Sequence, residues 1–460
     1  MSALMKWNPL GEGTKISWLQ KLAAAACLLL APTLVMAVPS YARQTHQPCA
    51  ACHVGGFGPE LTAFGRGFKI NGYTMKVGND TKVPLSAMLV ESFTHTSKAQ
   101  DPAAMPNGFG TNNNTELQQA SVFFAGRLTD HIGVFSQATY SENGGLLGWD
   151  NADFRYAKQF THGNHYGTWG ISVNNNPTVS DVFNSAPAWI YPYMAADLAP
   201  GAPAAPMIFG GIGGQAIGAT AYTQIDGKWY IEAGGYRSLS VAFTHHVNAD
   251  YSGRLSGLAP YARVAYTWGV PHGNLTVGGF LFDMKLGPLG TDLNGNSIPV
   301  AGPTDNFNDL GLSGDYQFFK GDNIVTVDGL YVHEKQTLNN TWGSGGSSNL
   351  HNSLDSFNLK GSYWYQNTYG VTLATFTNDG SNDLTLYGNN GSPNTQGGMV
   401  ELDYNPFGKA NSWKQPYANV RFGLQYTFYN KFSGLVHNVD GAGRNASDNN
   451  TTYFYVWLAI

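Results

Sequence analysis

Charge is scarce in this chain. Asp, Glu, Lys and Arg make up 12% of its 460 residues, about half the share of a typical soluble domain. Cysteine is scarcer still, at three residues, Cys27, Cys49 and Cys52. A scaffold stapled by many disulfides is thereby excluded. Past the N-terminus no apolar run reaches the ~18–20 residues that a membrane-spanning helix needs. The formal charge of −5 argues against nucleic-acid binding by charge alone. What the chain has instead is glycine (57 residues) and aromatic side chains, with 25 each of Tyr and Phe. Together with many Asn/Asp/Gly turn clusters, this composition predicts an all-β chain.

The first 42 residues read as a secretory signal. Lys6, Lys15 and Lys21 precede the apolar run Leu22–Met36, and Ala37 and Ala42 are the candidate cleavage points. The run is too short for a membrane anchor and ends before Pro39. Removal through Ala42 takes three lysines and Glu12 with it, which moves the formal charge from −5 to −7. Cys27 lies inside the apolar run, with Ala24 where a lipoprotein signal has Leu, so lipidation is not expected. The mature chain then keeps only Cys49 and Cys52.

Those two cysteines belong to Cys49-Ala50-Ala51-Cys52-His53, the C-x-x-C-H spacing of c-type haem attachment. Two thiols at this spacing add across the haem vinyl groups, and the adjacent imidazole becomes the proximal iron ligand. The expected cofactor is one covalent haem c on Cys49 and Cys52, with His53 on the iron. A thioredoxin-like dithiol would need a βαβ context, and a zinc site a second ligand pair nearby. Neither is present in the sequence. Met75 is the candidate sixth ligand, in competition with Met88, Met105, His46 or an open position; a Met ligand raises the haem potential. Arg43, Arg66 and Lys69 are candidate partners for the haem propionates. The segment 43–85 is at or below the size at which a chain buries its own core. One face of the haem should therefore need another wall.

From about residue 86 onward the sequence alternates with period two. Phe357, Leu359, Tyr363 and Tyr365 share one face, while Asn358, Lys360, Ser362 and Gln366 share the other. The same holds for Ala418, Val420, Phe422, Leu424, Tyr426 and Phe428 against Asn419, Arg421, Gln425 and Thr427. Strands of ~10–13 residues with aromatic ends have the length of barrel strands that cross an outer membrane. The segments expected as strands lie near 86–97, 115–127, 131–142, 151–160, 165–175, 216–225, 228–240, 258–269, 273–286, 307–319, 322–336, 354–366, 368–377, 397–405, 417–429 and 451–460. That is about 16, an even count as a bacterial barrel requires.

The connections segregate. Those after even-numbered strands are mostly tight: Thr129-Asp130, Asp226-Gly227, Pro271-His272-Gly273, Gly321-Asp322 and Asn367. Those after odd-numbered strands are mostly long, notably Asn176–Gln215, Leu286–Asn306 and Asn430–Asn450. The link at Pro406–Pro416 breaks the pattern. Short periplasmic turns and long outer loops are the habit of outer-membrane barrels. The last strand, with Phe454, Val456, Leu458 and Ile460 on one face, should close against the first. The expected architecture is an all-β, about 16-stranded antiparallel outer-membrane barrel over residues 86–460. The small haem segment should sit inside it or at its periplasmic mouth.

Other constellations are weak. His245-His246 reads as solvated loop histidines. Asp292–Asn296 resembles a calcium loop without the distal Glu of an EF-hand. No Ser/His/Asp grouping and no phosphate loop can be placed.

The stretch "ARQTHQPCAACHVGGFGPELTAFGRGFKINGY" resembles the fused monohaem cytochrome–porins of the bacterial outer membrane, whose best-known members oxidise iron(II). "GISVNNNPTVSDVFNSAPAWIYPY", from Gly170 to Tyr193, is similar to that family's loop after an early strand. The resemblance covers essentially the whole mature chain and carries over to Cys49, Cys52 and His53, but not to any distal ligand. It implies electron transfer across the outer membrane, from extracellular Fe(II) to a periplasmic cytochrome, in contact with outer-membrane lipid. The rival expectations are a transport porin with a haem-bearing plug, outward electron flow, and a soluble periplasmic cytochrome with a β domain.

Overall fold

The structure, a computed structural model, describes residues 40–78, 84–247, 253–291, 297–388, 390–412 and 418–460. The signal region up to residue 39, with the candidate cleavage point Ala37, and Asp292–Asn296 lie outside the described residues; residues 40–42, up to the second candidate point, are described. Sixteen long antiparallel strands, of 9 to 16 residues, follow one another as a meander. The first, Leu85–Thr96, pairs with the last, Thr451–Ala459, from Met88 opposite Ala459 to Thr96 opposite Thr451. The sheet is therefore a closed barrel with no free edge, the form a sheet must take in a hydrocarbon layer.

Alternation explains which side chains face which way. In Asp305–Lys320, Asp309, Ser313, Asp315 and Gln317 are buried inside, whereas Leu310 and Leu312 are about 60% exposed outside. In His351–Tyr365, Phe357, Leu359, Tyr363 and Tyr365 face out, and Lys360 and Ser362 are buried within. Asn419–Lys431 follows suit, with Asn419, Arg421, Gln425 and Thr427 inside. The outward face thus carries a continuous apolar band that only lipid would cover. Near the tight turns it is rimmed by exposed Tyr166, Trp169, Trp229, Trp268, Tyr365, Tyr369 and Tyr404. Such an aromatic girdle marks a membrane–water boundary.

The expected turns form as hairpins. Asp226 and Gly227, His272, Gly321, and Gln366 and Asn367 all take positive φ, which two-residue hairpins of this twist require. The fourth strand is longer than its expected 151–160, running Leu147–His162. Two features were not expected. Arg254–Leu255 adds a short pairing to Gly273–Gly287, and Leu289–Thr291 forms a ribbon with Ser297–Pro299.

The lumen is filled. Residues 40–78 lie inside the barrel as short helices, Ser40–Thr45, Cys49–Cys52 and Ala63–Ile70, joined by tight turns. The connection 175–215, expected as an outer loop, also folds inward. Val179, Val182, Phe183, Met194, Ile208 and Ile212 on it are buried. Its inner face is apolar enough to pay for ordering a long loop against the barrel wall.

Candidate functional site

The site is built around the C-x-x-C-H turn. Cys49–Cys52 is one helical turn, and His53 leaves it in extended conformation, bridged to Leu61. Thr62 caps the helix Ala63–Ile70 by accepting from the Gly65 amide at 3.2 Å. The same residue ties that helix to the cysteine turn, since its amide and hydroxyl donate to the carbonyls of Cys52 (2.9 Å) and Ala51 (2.5 Å). Gly65 permits this approach; a Cβ there would stand 2.3 Å from the Cys52 carbonyl oxygen.

One side of the segment is fastened to the barrel by buried polar contacts. Lys360 Nζ lies 2.7 Å from both Glu60 Oε2 and Asp328 Oδ2. Burial alone would raise the Glu60 pKa, but Lys360 and the hydrogen bonds around it win and lower it. Arg66 pairs with Asp315 at 2.7 Å and donates to Asn274 at 3.1 Å. Arg421 donates to the Phe57 carbonyl, Asn405 to Gly55 and Asn419 to Gly56. The link after Tyr404 also presses against the segment: a Cβ on Gly56 would lie 2.5 Å from the Gly408 carbonyl oxygen. The long link that broke the short-turn pattern is thus in contact with the segment. The inward loop adds Asn184, which accepts from the Leu61 amide and donates to the Pro59 carbonyl, both at 2.9 Å.

The other side opens onto a cavity of about 400 Å³, within the size range of ligand and cofactor pockets. Cys49, Cys52 and His53 all line it. Its walls come from three sources. The segment contributes Phe57, Phe68 and Tyr73, the inward loop Trp189 and Tyr193, and the barrel Phe123, Phe135 and Trp457. Phe57 and Trp457 pack with ring centroids 4.6 Å apart.

The donor set suits a covalently held porphyrin. Burial, then Arg421, pulls the His53 imidazole down to about 4, against a smaller opposing effect of the Glu60 and Gly58 backbone. The ring is neutral at physiological pH, as an iron ligand must be. Its Nδ1 is buried and, among the described residues, makes no hydrogen bond of ordinary geometry. Burial, with Cys49 adjacent, pushes the Cys52 thiol up to about 12, so it is present as a thiol.

The remaining sequence candidates divide. Lys69 lines the cavity, with Nζ 2.7 Å from the Val179 carbonyl and 4.6 Å from the Trp189 ring centre. Burial, then Arg155, draws it down to about 7. Arg66 is turned instead to Asp315, because a buried guanidinium needs a carboxylate. Arg43 donates to the Leu85 carbonyl and does not line the cavity. Met75 is 36% exposed and also lies off the cavity, as does the exposed His46. Met105 follows a turn in the link between the first two strands, off the cavity as well. Two other thioethers, Met88 and Met194, are buried and do line it. Met88 was among the competitors; Met194 was missed, because its loop reads as solvated. The apolar cluster in "VFNSAPAWIYPYM" was the available signal. His245 and His246 end the short helix Val241–His246 in the link that follows the strand Trp229–Ser238. Among the described residues, no group of three or more His, Cys, Asp or Glu could hold a metal ion.

No family model matches the chain, and no curated protein matches it. Solved structures that resemble it are outer-membrane barrels. OmpT of Vibrio cholerae gives a TM-score of 0.40 at 11% identity, over 82% of this chain and 96% of its own. The outer-membrane channel DcaP of Acinetobacter baumannii gives 0.42 at 11% identity, over 84% and 100%. OmpF of Salmonella typhi, in complex with daunomycin, gives 0.41 at 11% identity, over 82% and 97%. Likenesses at this level add nothing about function. The barrel's closure, its outward apolar band and its aromatic rim make the chain a porin-sized β-barrel of the bacterial outer membrane.

Proposed function

We propose that the protein carries single electrons across the outer membrane. The donor is extracellular, of the Fe(II) class, the acceptor is a periplasmic carrier such as a cytochrome, and the one cofactor is a haem c at Cys49, Cys52 and His53. The observation that carries this reading is the cavity. A haem-attachment pentapeptide faces a largely aromatic space that its own segment could not enclose. When bound, haem c supplies a one-electron iron couple whose potential depends on axial ligation and burial.

The chain's residues would do the rest. Cys49 and Cys52 provide the thioether positions, and His53 offers a neutral imidazole. Lys69 is the cation on the cavity wall available to a propionate. Phe57, Trp457, Tyr193 and Trp189 exclude water. The Glu60–Lys360–Asp328 and Arg66–Asp315 pairs hold the segment in place. Met88 and Met194, thioethers on this cavity wall, would be the groups available to the iron as a further ligand.

Anaerobic stopped-flow spectroscopy of the oxidised protein tests the donor. Reduction by Fe(II) on a catalytic timescale supports it. No reduction by Fe(II), with reduction by a periplasmic partner, would reverse the direction of flow. The porin-sized barrel favours a second reading, a transport porin with a plug. Liposome swelling separates the two: rapid sugar flux through the intact protein would favour transport, and its absence fits the filled lumen.

A further inference from the structure

Glu116 is a carboxylate that nothing above uses. It lies on the inner face of the second strand, Asn114–Arg127, two residues from the long-link end. It is 1% exposed, and among the described residues neither carboxylate oxygen makes a hydrogen bond of ordinary geometry, the Asn143 backbone amide being the donor directed toward it. Ser92 stands opposite it in register, also buried, with its hydroxyl near Tyr453 but in no hydrogen bond of ordinary geometry among the described residues. The charged groups that act on Glu116 most strongly are acidic: Asp197, then Glu142 and Glu91. A buried carboxylate without a partner is strongly disfavoured. It must take up either a proton or a cation.

The neighbourhood favours a cation. Gln118, two residues further along the strand, accepts from the Tyr453 hydroxyl with Oε1, while its Nε2 donates to the Ala195 carbonyl at 2.5 Å and also acts on the Asp197 carboxylate. Its oxygen keeps a second lone pair. Asp197 is two residues past Ala195 on the inward loop, and Met194, one residue before Ala195, lines the cavity of Cys49 and Cys52. One short stretch of loop therefore meets the carboxylates on its outer side and the cavity on its inner side.

We propose that Glu116 and Asp197, with the oxygens of Gln118 and Ser92, form a docking site for a divalent metal cation. It rests on the electron-donor reading and would be where the donor binds. With two carboxylates and two neutral oxygens, the site would leave a six-coordinate cation about two of its waters. That suits a substrate which must leave again.

The test is titration of the purified holoprotein with Mn(II) at pH 7 and low ionic strength, with free Mn(II) read by EPR. One saturable site is expected. Glu116→Gln should weaken it at least tenfold, while Asp440→Asn, at an exposed carboxylate of the last outer link, leaves it unchanged. Heat-modifiable gel mobility confirms that each variant keeps its barrel. No saturable binding in the wild type, or equal binding in Glu116→Gln, overturns the proposal. Mn(II) does not reduce haem, so its binding is scored independently of electron transfer. Glu116-dependent binding in a protein that Fe(II) fails to reduce would sink the donor reading and keep the cation site.

Discussion

The two sides of the N-terminal segment meet the barrel in opposite ways. On one, Glu60 and Arg66 are locked to Lys360, Asp328 and Asp315, and backbone carbonyls are capped by Asn405, Asn419 and Arg421. On the other, the cysteines and His53 look across open space at aromatic rings and two methionines. The first side spends buried charge on position alone. A buried ion pair contributes little net stability over apolar packing, but removing one partner is costly. The second side leaves aromatic rings that pack on one another with a face toward open space among the described residues, an arrangement a flat apolar group would complete. The contrast separates holding the segment from what the segment holds.

That separation can be broken from either side. The largest expected effect is on the open side. Cys49→Ser with Cys52→Ser should abolish covalent haem, read as loss of haem staining in a denaturing gel, while gel mobility still reports a closed barrel. Retained covalent haem would refute the attachment. Next comes the anchored side. Lys360→Met leaves Glu60 and Asp328 buried without their cation, at a cost of about 3–5 kcal/mol. Hydrogen exchange across residues 40–78 should rise, with haem still attached. Unchanged protection would mean that the ion pairs do not hold the segment. The smallest change in stability, less than about 1.5 kcal/mol, is expected for the volume-conserving Met194→Leu. If Met194 ligates, the potential should fall and the near-infrared thioether–iron band should vanish, whereas Met75→Leu, off the cavity, changes neither. An unaltered band in Met194→Leu would direct attention to Met88.

Much of the barrel was legible because lipid and lumen impose opposite polarity on alternate residues. Phe357–Gln366 shows this directly: Leu359 and Tyr363 must be apolar, and Lys360 must not be. The final strand was harder. In "TTYFYVWLAI" both faces carry aromatics, so Tyr453, Tyr455 and Trp457, all buried inside, were hidden beside the outward Phe454. The inward course of 175–215 was hidden too, because Asn, Pro and Gly mark irregular backbone without saying which side of a wall it takes. The candidate site was legible at Cys49, Cys52 and His53 only as a motif. The fate of Arg66 depends on Asp315, 249 residues away, and no local pattern announces such a partner. Met75 is nearer in sequence to His53 than Met88 or Met194, yet sequence distance says little once the chain is threaded through a barrel.

The pairing of the first strand with the last has a consequence for biogenesis. That seam, from Met88–Ala459 to Thr96–Thr451, cannot zip until the final residues have been made and delivered. The segment inside precedes both strands in the chain. It is therefore made before either edge of that seam. Any group bonded to Cys49 and Cys52 would be fitted before that enclosure is sealed, while the thiols can still be reached. For a chain that carries such a group, the order would be export, attachment, insertion, closure.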